Sequence, residues 1–201
     1  MQPHTKIKNV LRGLTKRWGL PGMKRTLWDR EYASGKWVHC EHTRGDRVYG
    51  FVERYCRNGS ILDLGCGSGN TGNELAVDRY QTYTGVDVSE VAAQKAAQRS
   101  EANGRGGTNR YEQGDMLSYV PSRKHDVILF RESLHNIPEL RMKSALDRYS
   151  QYLTANGVFV VTLSRDSTRR FREIVGWIET NYRVVEKYSA ETADALVVIF
   201  R

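Results

Sequence analysis

The chain has 201 residues and no acidic side chain before Asp29. Seven lysines and arginines precede that first acid: Lys6, Lys8, Arg12, Lys16, Arg17, Lys24 and Arg25. Long apolar runs are also missing, the longest being the six residues from Ala195 to Phe200. A membrane-spanning helix needs about 20, so an integral span is excluded. Lysine and arginine interrupt every apolar stretch near the N-terminus, and a secretory signal is not expected. Cysteine is scarce. Cys40, Cys56 and Cys66 form no CxxC pair and leave an odd count. That argues against a disulfide framework or a zinc site and for a reducing, cytoplasmic setting. The five histidines show no HExxH or similar ligand spacing, so no metal site is expected. Serine is absent before Ser34, which sets the arm apart from a serine-rich mitochondrial transit segment.

What is present is a chain with 31 basic and 23 acidic residues and a net charge of +8. Position resolves that number. Residues 1–28 carry +7, and the 24 basic and 23 acidic residues that follow leave only +1. Hydrophobic content of 39% and charged content of 27% fit a folded domain. A chain of this length buries roughly 70% of its unfolded surface, enough for one core. The expected organisation is a basic helical arm and cap over 1–58, within the same domain as a body over 59–201.

Ile7, Val10, Leu11, Leu14 and Trp18 recur at helical spacing and predict a helix over 5–18. Gly19-Leu-Pro21-Gly22 breaks it. A second helix is predicted over about 45–57, ended by Asn58-Gly59. From residue 60 strands and helices alternate. Strands are expected at 61–64, 82–87, 109–113, 126–130 and 157–163, with a closing pair at 182–187 and 195–200. Helices are expected from Ser89 to about Asn103, over 139–153 with Leu140 among the apolar positions, and over 168–180. This alternation implies crossover connections and a largely parallel sheet covered on both faces.

Asp63-Leu-Gly65-Cys66-Gly67-Ser68-Gly69 follows a predicted strand and precedes a predicted helix. Glycines there let a ligand lie against the main chain. The spacing reads as GxGxG over 65–69 or as GxGxxG over 67–72, so it fits a nucleoside cofactor or a dinucleotide. Asp87 ends the next strand, where a carboxylate can accept both hydroxyls of a ribose. Asp63 bears on the choice. A pyrophosphate favours a helix N-terminus free of nearby acid. An acid before the glycines suits a cationic ligand such as S-adenosylmethionine, with its ammonium and sulfonium. Cys66 reads as a small residue filling the turn, not as a nucleophile. Gln113-Gly-Asp115-Met116 and Phe130-Arg131-Glu132-Ser-Leu-His135-Asn-Ile-Pro138 follow the third and fourth strands. Asp115 can accept from the exocyclic amine of adenine, and Met116 can cover the ring.

In this order the four segments resemble the class I S-adenosylmethionine-dependent methyltransferases, over about residues 60–165. Within them the chain is similar to small bacterial enzymes that methylate small molecules or sugars. Those also carry an upstream Trp-Asp segment and a further Trp, here Trp28-Asp29 and Trp37. The resemblance implies a Rossmann-like seven-stranded sheet, helices on both faces, with the last strand antiparallel. It implies that Asp63 and Gly65, Cys66, Gly67 and Gly69 bind the amino-acid end of the cofactor. Asp87 and Val88 would take the ribose, Asp115 and Met116 the adenine, and Phe130, Arg131 and Glu132 would line the transfer site.

Methyl transfer from a sulfonium is an in-line displacement in which the protein mainly positions the acceptor. A base helps only a protonated acceptor. His135 is the first candidate and Glu132 the second. Tyr32, Trp37, His39 and His42 could enter from the cap as substrate or lid residues. The loop over 130–138 lacks the pattern of nucleobase amine methyltransferases. It also lacks the cysteine of C5-cytosine enzymes and the paired glutamates of protein-arginine enzymes. By elimination the acceptor is a small molecule: a sugar, a natural product or a lipid-linked compound, methylated on O or N. For the basic arm four roles stay open: a lid, contact with an anionic membrane, RNA binding or transit. An RNA-tethered enzyme, a non-catalytic nucleoside-binding module and an NAD-dependent oxidoreductase are the alternative functions.

Overall fold

The structure, a computed structural model, describes residues 3–41, 43, 45–164, 168–189 and 195–201, with the side chains of 3–9, 164, 168–171 and 195 left out. His42 lies outside the described residues.

The period-2 pattern of the strands decides the architecture. Strands β1 (Ser60–Leu64), β2 (Thr82–Asp87), β3 (Asn109–Gln113), β4 (His125–Arg131), β5 (Leu153–Ser164), β6 (Val184–Ser189) and β7 (Ala195–Phe200) form one sheet in the order β3-β2-β1-β4-β5-β7-β6. β3 to β5 are parallel neighbours, whereas β7 runs antiparallel to both β5 and β6. Successive side chains go to opposite faces. Leu62, Leu64, Ile128, Phe130, Phe159, Val161, Val198 and Phe200 join one core. Ile61, Val127, Leu129, Val158, Val160, Val197 and Ile199 join the other. A sheet buried on both sides needs helices on both. Helices α6 (Glu139–Ser150) and α7 (Thr168–Asn181) cover the first face, and α3 (Arg47–Cys56) covers the second. Residues matching the expected Rossmann-like sheet are thus continuous runs of branched and aromatic side chains rather than alternating polar strands.

The helices depart from expectation in three places. A further helix, α2 (Pro21–Ala33), follows α1 (Pro3–Trp18) after a short break at Gly19-Leu20. It has no apolar stripe because the residues it buries are Lys24 and Glu31. Pro21 sits in its first turn, where a missing N–H costs nothing. α6 stops at Ser150, earlier than the apolar spacing suggested, because β5 begins at Leu153. Leu140 is 88% exposed, and α6 packs through Met142, Ala145, Leu146 and Tyr149 instead. The third departure is α1. Its apolar face does not pack on the body: Val10, Leu11, Leu14 and Trp18 point outward.

The switch in strand order lies between β1 and β4, where ligands of open α/β sheets bind beyond the strand ends. The turn after β1 leads into α4 (Asn70–Glu74) and packs against α5 (Glu90–Ala102). Gly69 is the point where the turn meets α5. Its φ is 76°, and a Cβ there would lie 2.6 Å from the Ala96 Cβ. Gly69→Ala should therefore lower stability by about 2–4 kcal/mol, combining left-handed backbone strain with overpacking. Urea denaturation checks this; a change under about 0.5 kcal/mol would contradict it.

Candidate active site

Two carboxylates stand at the C-terminal ends of neighbouring strands. Asp63 on β1 is fully enclosed; its Oδ2 accepts a hydrogen bond from the Tyr83 hydroxyl at 2.5 Å. Its Oδ1 is buried and has no hydrogen-bond partner. Asp87 on β2 accepts from the Gly67 N–H at 2.9 Å and the Ser89 N–H at 2.8 Å. Burial, opposed by these donors, pushes each carboxyl up to about 6. The glycine turn is tied to β2 by the N–H groups of Gly65 and Cys66, which both donate to the Val86 carbonyl. Gly67 has a φ of 54°, and a Cβ there would meet the Tyr32 hydroxyl at 2.7 Å. A side chain at that point would close the space over the turn.

These groups open into a cavity of about 700 Å³. Its roof comes from the arm. Asp29 anchors α2 across the start of α5: its Oδ1 accepts from the Ser89 hydroxyl at 2.7 Å and the Val91 N–H at 3.2 Å. Glu31 gathers the cations of the arm, accepting from Arg12, from Lys16 at 2.9 Å and from the Trp37 indole N–H at 3.1 Å. Burial works to raise the Glu31 carboxyl, but Arg12 and Lys16 outweigh it and hold it at about 2. Burial lowers the Lys16 ammonium to about 8 despite Glu31. That ammonium lies 3.3 Å from the centre of the Trp28 ring, within a cluster of Trp28, Tyr32 and Trp37. Over the other end of the cavity Lys24 pairs with Asp115 at 3.0 Å, both side chains buried. Asp115 also accepts from the Leu117 N–H at 2.9 Å.

At the opposite end, the Arg131 guanidinium donates to the Tyr49 hydroxyl at 3.1 Å, to Thr43 at 2.8 Å and to Asp46 at 2.6 Å. Asp46 also caps α3, accepting from the Val48 N–H. Glu132 adopts a φ of 51°, and its N–H donates to Thr162. Ser133 donates to the Leu64 carbonyl at 2.5 Å and so pins the loop after β4 to β1. His135 lies under α1, with its carbonyl accepting from Arg17 at 3.4 Å. Burial, then Arg17 and Lys16, lower the imidazole to about 4, so it is neutral at pH 7.

The structure brings Asp63, Gly65, Cys66, Gly67, Asp87, Val88, Asp115, Met116, Arg131, Glu132 and His135 to one cavity, with Tyr32 and Trp37 from the cap. Three expected residues are placed elsewhere. The Phe130 side chain is in the core beside Tyr149 and Phe159, because alternation along β4 turns it away from Arg131. Gly69 packs against Ala96. His39 is exposed on a short turn, its ring 5.9 Å from that of Trp37. Lys16, Lys24, Thr43, Asp46, Asn70 and Thr71 also line the cavity and were not foreseen. For the two lysines a signal existed in the acid-free arm, which can pair only with acids elsewhere.

Residues 62–159 match the family model described as "Methyltransferase domain". That match covers 98 of the 201 residues, just under half of the chain. Its fold is similar to that of the N-methyltransferase NodS from Bradyrhizobium japonicum WM9, solved with S-adenosyl-L-homocysteine. The TM-score is 0.69 at 22% identity, covering 88% of this chain and 97% of that one. In sequence the domain is 28% identical over 124 residues to 27-O-demethylrifamycin SV methyltransferase of Amycolatopsis mediterranei (strain S699), covering 61% of this chain and 44% of that protein. It is 27% identical over 122 residues to the mRNA cap guanine-N(7) methyltransferase of Cryptococcus neoformans var. neoformans serotype D (strain JEC21 / ATCC MYA-565), covering 54% of this chain and 20% of that protein. The chain thus spans less than half the length of these curated relatives.

The fold holds Asp63 in a state that favours its proton. Its carboxyl rises from 3.8 to about 6. The cost of burying the charge is absent below about pH 4, grows between pH 4 and 6, and is complete above that. Asp63→Asn should therefore stabilise the ligand-free protein by about 1–3 kcal/mol at pH 8 and by much less at pH 4. Denaturation at the two pH values checks the sign; a less stable variant at pH 8 would contradict it.

Proposed function

We propose that the domain transfers a methyl group from S-adenosylmethionine to an O or N atom of a small-molecule acceptor. The observation that carries this reading is Asp63, a buried carboxylate in the cavity wall to which no cation is hydrogen-bonded among the described residues. An ammonium placed there would satisfy it, whereas a pyrophosphate would be repelled. This argues against the NAD-dependent reading. When bound, S-adenosylmethionine supplies an electrophilic methyl group on a sulfonium. Asp63 then accepts from the amino group of the cofactor, and Asp87 accepts from the ribose hydroxyls. Asp115 and Met116 take the adenine end, with Lys24 held against Asp115 by the roof.

The acceptor end is bounded by Trp37, Glu132, His135 and Thr162. A cavity of about 700 Å³ shared with a nucleoside cofactor leaves room for a small group, which supports a small-molecule acceptor. NodS and the rifamycin enzyme support the same reading. His135 stays in its neutral, accepting form at pH 5–9, so it can take a hydrogen bond from a hydroxyl or amine acceptor. Burial, and then the roof cations beside it, make it a weak base. It acts by orienting the acceptor, and Glu132 is the second polar group facing the same space.

Calorimetry with S-adenosyl-L-homocysteine tests the cofactor assignment. The wild-type chain should bind it, and Asp87→Ala should weaken binding by at least about 30-fold, the loss of charged hydrogen bonds worth about 2 kcal/mol or more. Equal binding by the variant, or tight NADH binding instead, would overturn the reading.

A further inference from the structure

α1 is amphipathic, but its two faces are reversed relative to an ordinary packed helix. Arg12 and Lys16 face α2 and reach Glu31 there. Val10, Leu11, Leu14 and Trp18 are 62%, 58%, 51% and 53% exposed. At 3.6 residues per turn these four positions share an arc of about 100°. Leu20 and Met23, at the break and at the start of α2, are 71% and 54% exposed. Six exposed large apolar side chains between Val10 and Met23 are more than the scattered exposure normal for a monomer.

The charge of the arm narrows what can cover this face. Arg12, Lys16 and Lys24 are matched by Glu31 and Asp115. The other four cations of the segment are Lys6, Lys8, Arg17 and Arg25, and residues 1–28 contain no acid. A second copy of the chain would set one acid-free basic surface against another. RNA would engage cations and leave a row of leucine, valine and tryptophan in water. An anionic bilayer fits both properties: headgroups attract the cations, and the boundary with the acyl chains accepts the apolar row.

We propose that the outer face of α1 and the start of α2 dock on an anionic lipid surface, with α1 lying in the plane of the interface. Because α1 and α2 also roof the cavity, docking sets that roof against the lipid. No helix among the described residues is long and apolar enough to cross a membrane, so the contact is peripheral.

The test is sedimentation of the full chain with vesicles of phosphatidylcholine containing about 30% phosphatidylglycerol, against phosphatidylcholine alone. Binding should be at least about tenfold stronger to the anionic vesicles and should weaken with added salt. The double variant Leu11→Glu, Leu14→Glu should lose at least about tenfold of it, with unchanged melting and unchanged S-adenosyl-L-homocysteine affinity. Equal partition to both vesicle types, or full retention by the variant, would overturn the proposal. So would a dimer that the variant dissociates, or an RNA complex, in a protein that leaves vesicles unbound. Because the readout is lipid partition, it stands or fails apart from the cofactor assignment.

Discussion

Two buried carboxylates with no basic side chain hydrogen-bonded to either, among the described residues, govern the organisation of this molecule. A carboxylate out of water is costly unless donors surround it. Asp87 is served by two backbone N–H groups, which exist there only because the glycine turn and the start of α5 point at it. Asp63 is served by one phenol and is left one oxygen short. The apolar sheet on either side can absorb such a cost, since it is buried on both faces. What remains at Asp63 is a carboxylate with no cation bonded to it, which suits a ligand that brings an ammonium.

The roof over that site inverts the usual use of an amphipathic helix. Its cations go inward, where Glu31 and Asp115 receive them, and its apolar residues go outward. The inward contacts explain much of the net charge that composition alone would assign to a polyanionic partner. Burial holds His135 neutral, and Arg17 and Lys16 above it add to that effect. The cations that close the cavity therefore reinforce the neutral state of this imidazole.

Much of the sheet was legible because a strand buried on both faces is a short run of branched and aromatic residues, as in β4, β5 and β7, whereas β3 and β6 are more polar. Asp63 and Asp87 were legible because each follows its strand directly. α2 was not, because it buries Lys24 and Glu31 and has no apolar period to read. The outward turn of α1 was not, because spacing shows that residues share a face and not which way that face points. Arg131 was seen as a site residue, but its partners Thr43 and Asp46 lie more than 80 positions away in the chain. Nothing local announces such a contact. Phe130 was assigned to the site beside Arg131, although neighbours on a strand face opposite sides.

The central claim is that Asp63 waits for the ammonium of a ligand and Asp87 for its ribose hydroxyls, both as charged carboxylates. Proton exchange on ligand binding reports this most directly. With both carboxyls at about 6 in the ligand-free protein, each is about half protonated at pH 6. Calorimetry of S-adenosyl-L-homocysteine binding at pH 6, repeated in buffers of different ionisation enthalpy, should show release of about half a proton or more, falling towards zero at pH 8. Proton uptake, or no exchange at pH 6 despite binding, would contradict the account.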